Sequence, residues 1–136
     1  MPARSKARKR ALDLLYEAEL RGEPVLALLD QRTADASPPV VPYAAQLVRG
    51  VQEHRERIDE LLAAHAEGWT LERMPAVDRN ILRIGVYELL WADGVPDGVA
   101  ISEAVLLARD LSTDASPAFI NGLLARIAEL KPSLQV

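Results

Sequence analysis

The sequence predicts an all-α fold of six to seven helices, and three observations predict it. Apolar residues recur three, four and seven positions apart in successive segments, the spacing that lines one face of a helix. Breaker clusters such as Gly22–Pro24, Ser37-Pro38-Pro39 and Val95-Pro96-Asp97-Gly98 fall between those segments. No stretch keeps the apolar–polar alternation of a half-buried strand. With 136 residues, 49% of them hydrophobic, the chain is long enough for one domain with its own core and too short for two of ordinary size. A single domain over residues 1–136 is expected.

The first helix is predicted from Ser5 to Leu20, stopped by Gly22 and Pro24, with Ala7, Ala11, Leu14, Leu15 and Ala18 on its inner face. Lys9, Leu12, Tyr16 and Leu20 fall towards the opposite side. A short helix fits Val25 to Arg32, and Thr33 to Pro42 reads as a loop. One long helix is then expected over Tyr43–Ala66, with Leu47, Val48, Val51, Ile58, Leu61 and Leu62 inward and Gly68 ending it. Thr70 is placed to cap a short turn reaching Met74. The helix over Ala76–Ala92 is apolar all round, which marks it as buried or as meeting a partner on its outer side. Another follows over Val99–Leu111. Ser116-Pro117 is a start signal for the last helix, to Leu130.

The chain contains no Cys, which removes disulfides, thiolate metal sites and thiol nucleophiles. Neither a membrane-length apolar run nor a signal-peptide pattern is present, and a cytoplasmic location follows by elimination. Net charge is −4, yet residues 1–10 carry +5 through Arg4, Lys6, Arg8, Lys9 and Arg10, so the remainder carries −9. A basic arm on an acidic body suits a polyanion, because phosphate contacts release counterions. The alternative is a merely solvated terminus.

Enzymatic signatures are missing. His54 and His65, eleven residues apart on one predicted helix, stand about 16 Å from each other and cannot grip one metal. There is no HExxH, GxSxG, GxGxxG or Walker-type loop. Asp78, Glu88, Glu103 and Asp110 offer carboxylate pairs of the kind any acidic helical protein has. No catalytic residue, metal ligand or cofactor is therefore assigned. Glu88 lies at the helical angle of Val77, Ile81 and Ile84; buried there, it needs a cation or several donors, and an ion pair between two helices is expected. Trp69 and Trp91 read as packing residues. Phe119 stands on the first turn of the last helix with Arg126 two turns on. A helix N-terminus beside an aromatic ring suits phosphate and an unpaired base, although Phe119 also fits an ordinary core position.

Taken together, the segments resemble the NusB family of bacterial transcription antitermination factors over nearly the whole chain. The resemblance rests on Arg4-Ser5-Lys6-Ala7-Arg8 leading to Leu15-Tyr16, on Leu47-Val48-Arg49-Gly50-Val51, and on Asp78-Arg79-Asn80-Ile81-Leu82-Arg83 with Tyr87-Glu88-Leu89. Val95-Pro96 with Val99-Ala100-Ile101-Ser102-Glu103-Ala104 and Phe119-Ile120-Asn121-Gly122-Leu123-Leu124 complete it. The resemblance implies two packed three-helix bundles with an added helix. It implies binding to the boxA element of nascent ribosomal RNA together with the ribosomal protein NusE, in a complex that joins RNA polymerase, promotes read-through of terminators and aids rRNA maturation. Arg4, Lys6, Arg8, Lys9, Arg10 and Tyr16 match the family's RNA side, as does Phe119. Asp78 and Arg79 fall where the family meets NusE. Ala115-Ser116-Pro117-Ala118 stands where some relatives carry charged side chains.

Two other readings compete. An RNA-recognition module of an rRNA methyltransferase would share the resemblance, but the length leaves no room for a methyl-donor site. A homodimer that buries the basic helix would mask the RNA face, with Leu12 and Leu20 as its apolar contacts.

Overall fold

The computed structural model describes residues 2–35 and 38–134. Among them there are seven α-helices and no strand: α1 (Ala3–Arg21), α2 (Val25–Asp35), α3 (Pro42–Glu53), α4 (Arg55–His65), α5 (Ala76–Leu90), α6 (Asp97–Leu111) and α7 (Ser116–Leu130). Single 3-10 turns at Leu71–Arg73 and Lys131–Ser133 complete the order. Helices α1, α2 and α3 pack on one another as one bundle, and α5, α6 and α7 as a second to which α4 is added. Helix α5 also packs on α1 and α3, joining the two. Its all-round apolarity has this cause: every residue from Ile81 to Leu89 is buried.

The helix ends follow local chemistry. Gly22 closes α1 at φ 67°, and the Gly22 and Glu23 amides return to the Glu19 and Ala18 carbonyls at 3.2 and 2.9 Å. Pro42 opens α3 in the first turn, where its missing N–H is not needed. The loop expected from Thr33 begins later, because α2 runs to Asp35; Ala36 and Ser37, also assigned to that loop, lie outside the described residues.

Two expectations fail. The single helix over Tyr43–Ala66 is two helices, broken at His54. The His54 amide donates to the Gly50 carbonyl at 3.1 Å, closing α3, while its own carbonyl accepts from Ile58 at 2.8 Å, opening α4. The His54 ring stacks on Trp91 at 4.0 Å with 9° between planes. Leu12 is also misplaced by a one-sided view of α1. It is 2% exposed, because α1 is covered by α2 and α3 and also by α5; of the two leucines set on the outer side, Leu20 alone is out, at 65%.

Ion pairs fasten α1 to α5 as well. Glu19 receives Arg79 and Arg83, and Arg83 also grips Asp59 of α4 at 2.8 and 3.1 Å. Partial burial alone would raise the Glu19 carboxyl, but Arg79 and then Arg83 outweigh it and hold it below the ordinary glutamate value. A depressed carboxylate contributes stability above its unfolded value, and that contribution is lost as pH falls through the folded one. Glu19→Gln is therefore expected to destabilise at neutral pH, with the difference from wild type shrinking below about pH 4. Urea unfolding of both proteins across that range checks it; a pH-independent difference would assign the effect to packing.

Candidate nucleic-acid interface

The first turns of α1 carry the basic cluster, and folding sorts it. Arg4, Lys6 and Lys9 are exposed. Arg4 lies over the Tyr43 ring at 4.4 Å, and Lys9 bonds Asp13 at 3.1 Å in an exposed pair of little energetic weight. Arg8 turns the other way. It is 3% exposed, with its Nε on both Glu88 carboxylate oxygens at 2.8 and 3.1 Å. Its Nη1 stands 3.5 Å from Glu103, which also receives the Ser5 hydroxyl at 2.7 Å, and the Tyr43 hydroxyl donates to Glu88. Burial works against the Arg8 charge, but the hydrogen bond and the charge of Glu88 prevail and raise its pKa. Tyr43 is pushed up by burial and then by Glu88. So the ion pair expected for Glu88 is present, and its cation comes from the cluster assigned to RNA. As folded, Arg8 has no charged end to offer a ligand.

A second cluster forms around the start of α7. Phe119 is half-buried, and Trp69 stands beside it at 6.2 Å with the rings tilted by 58°. Trp69 is not a packing residue: it is 50% exposed. The two rings border a cleft of about 120 Å³ that also meets Met74, Pro75, Thr113 and Ser116. Asp78 closes the floor. It is 4% exposed, and its carboxylate accepts the Ser112 hydroxyl and, at 2.7 Å, the Ser116 hydroxyl. The turn between α6 and α7, and with it Phe119, is thereby tied to the first turn of α5. A neighbouring groove of about 490 Å³ continues past Phe119 to His65 and Arg126.

Arg79 is likewise engaged, with its guanidinium on Glu19 and on the Leu71 and Met74 carbonyls at 2.8 and 3.0 Å. Neither Asp78 nor Arg79 presents a free charge. Tyr16 is half-buried on α1. The two clusters are not adjacent. Glu88 lies under the basic arm and Asp78 under the aromatic pair, ten residues apart on α5, which is about 15 Å along the axis. A ligand that meets both must span a distance of that order.

The signal for Trp69 was available: Glu67–Arg73 has no apolar periodicity, so a tryptophan there has no core stripe to join. Among the described residues no group of three or more His, Asp or Glu is arranged to hold a metal, and no helix is long and apolar enough to cross a membrane.

Fold and surface together define a helical binding protein with a cationic arm and a separate aromatic cleft. The NusB family model matches residues 5–129, and the chain belongs to the NusB family. The transcription antitermination protein NusB of Thermobifida fusca is 62% identical over 134 residues, covering 98% of this chain and 94% of that protein. That of Nocardioides sp. is 60% identical, covering 98% and 99%. Among solved structures, T. maritima NusB superposes with a TM-score of 0.80 at 33% identity, covering 95% of this chain and 92% of that one. A complex of antitermination factors NusB and NusE with double-stranded RNA contains a chain 29% identical, with a TM-score of 0.80 and coverage of 93% and 96%.

Proposed function

We infer that this chain is a transcription antitermination factor that binds the boxA element of nascent ribosomal RNA together with NusE, joins RNA polymerase, and helps it read through terminators. It acts in the bacterial cytoplasm by binding, with no catalytic step of its own. The observation that carries this reading is the half-exposed Trp69–Phe119 pair, set about 15 Å along α5 from the basic arm. Stacking rings and a distant cationic stretch suit a single strand that lays bases on one and phosphates on the other. Arg4, Lys6, Lys9 and Arg10 supply the phosphate contacts, with Tyr16 further along the same helix. Asp78 and Arg79 contribute to the NusE side by fixing the shape of the start of α5 rather than through free charge.

The test is binding of a labelled boxA RNA with and without NusE across a range of salt. Affinity is expected to fall steeply with salt and to rise with NusE. Trp69→Ala and Phe119→Ala are each expected to weaken binding by about 1–3 kcal/mol, with little change in salt slope. Salt-insensitive binding, or none with NusE present, overturns the reading.

A further inference from the structure

A groove of about 350 Å³ opens where the two bundles meet, between the turn joining α1 to α2 and the joint of α3 with α4. Its walls are aliphatic, formed by Leu15, Ala18, Pro24, Val25 and Leu26. Leu26 stands 42% exposed on the first turn of α2. None of the residues assigned above to RNA or to NusE lines the groove, and among the described residues no aromatic ring does, so a base has no ring to stack on. The charge behind the walls is unbalanced. Arg83, 4% exposed, pairs with Glu19 and Asp59, while Arg79 pairs with Glu19 and Arg55 with Asp59. Three cations share two carboxylates, which leaves one positive charge in excess. Arg55 is the open end of this network. Its Nε donates to Asp59 at 3.0 Å, and its two Nη nitrogens have no hydrogen-bond partner among the described residues. Glu53 and Glu56 flank it in sequence but do not line the groove. Glu23, across the groove, is 3.8 Å from Arg21, beyond hydrogen-bond distance, and keeps acceptor capacity for a main-chain N–H.

We propose that this groove seats a short acidic segment of a partner protein, with one aliphatic side chain against Leu15, Val25 and Leu26 and a neighbouring carboxylate on the Arg55 fork. Two guanidinium nitrogens take a carboxylate in parallel bonds, a geometry that fixes direction as well as charge. The volume lies at the lower end of the range of about 300–1,000 Å³ typical of ligand pockets, which suits one or two side chains rather than a whole helix. Glu23 meets the main chain of the segment from the other rim. Docking here leaves the basic arm and the Trp69–Phe119 pair uncovered, so the partner is held whether or not RNA is bound.

Three blocked peptides, acetyl-Glu-Leu-Leu-Glu-amide and its glutamine and lysine counterparts, are titrated into the isotope-labelled full chain while its amide resonances are followed. The acidic peptide is expected to move the resonances of Gly22, Val25, Leu26 and Gln52. It is expected to bind about 2- to 5-fold more tightly than the glutamine peptide, the ratio that one partly exposed ion pair supplies, and the lysine peptide is expected to bind least. Arg55→Gln is expected to abolish that preference and Arg55→Glu to reverse it, whereas Leu26→Ser weakens all three peptides alike. Both side chains are more than a third exposed, so thermal unfolding of each variant is expected to stay close to wild type. The seat is overturned if no peptide binds, if the three bind alike, or if the resonances that move lie elsewhere. It is overturned equally if oligouridylate moves these resonances and the acidic peptide does not, which would give the groove to RNA.

Discussion

Arg8→Met is expected to cost about 3–5 kcal/mol of stability and to lower Tm by on the order of 10 °C. The substitution roughly preserves the length of the side chain but leaves Glu88, 1% exposed, with only the Tyr43 hydroxyl. Removing one member of a buried pair strands the other, and that desolvated charge accounts for most of the loss. The triple variant Arg8→Met, Glu88→Met, Tyr43→Phe removes all three polar ends and is expected to recover most of it. Because the Arg8 pKa is raised from an ordinary value that is already strongly alkaline, Arg8 stays charged across the neutral range and its contribution is lost only in strong alkali. Denaturant unfolding decides the matter; a single variant within about 1 kcal/mol of wild type would show the pair to be worth no more than a surface one.

Gly50→Ala is expected to destabilise by about 2 kcal/mol or more, against an intrinsic gain of about 1 kcal/mol for alanine in a helix. A Cβ at Gly50 would overlap the Tyr87 ring at Cε1, Cζ and Cδ1. The ring is rigid and 7% exposed, with Gln46 donating to its hydroxyl at 3.3 Å, so it has nowhere to turn. Tyr87→Leu in the same chain is expected to relieve the clash, giving a favourable coupling in a double-mutant cycle. Gly122→Ala is the control, since nothing lies within 4 Å of its Cβ position. It is expected to be neutral or stabilising. Equal losses at Gly50 and Gly122 would refute the packing account.

These two sites also mark how far a sequence can be read. The last helix was legible because Ser116-Pro117 and the stripe from Ile120 to Leu130 are both local. The burial of α5 was legible from its composition. The break at His54 was not, since residues 51–66 contain neither Gly nor Pro and the ring that stacks on His54 belongs to Trp91, in another helix. Arg8 looked like its basic neighbours because composition does not record direction. A signal did exist: Ser5, Arg8, Leu12 and Leu15 share one helical stripe, and all four are buried. Reading α1 as one-sided hid it. Of the candidate interface, the cationic arm and Phe119 were singled out from the sequence. The exposure of Trp69 had a local signal that was not used, whereas the unpaired Arg10 nitrogens emerge only when chain segments far apart in sequence are brought together.

The attachment of Asp78 to Ser112 and Ser116 bears on how variants of this protein are interpreted. A substitution at Asp78 releases the turn that holds Phe119, so on the role proposed for Phe119 the expected phenotype is loss of RNA affinity although Asp78 itself is covered. Genetic screens scored by transcript read-through would place Asp78 among the nucleic-acid contacts, and screens scored by partner capture would place it among the protein contacts. Both would be reporting the same slackened joint.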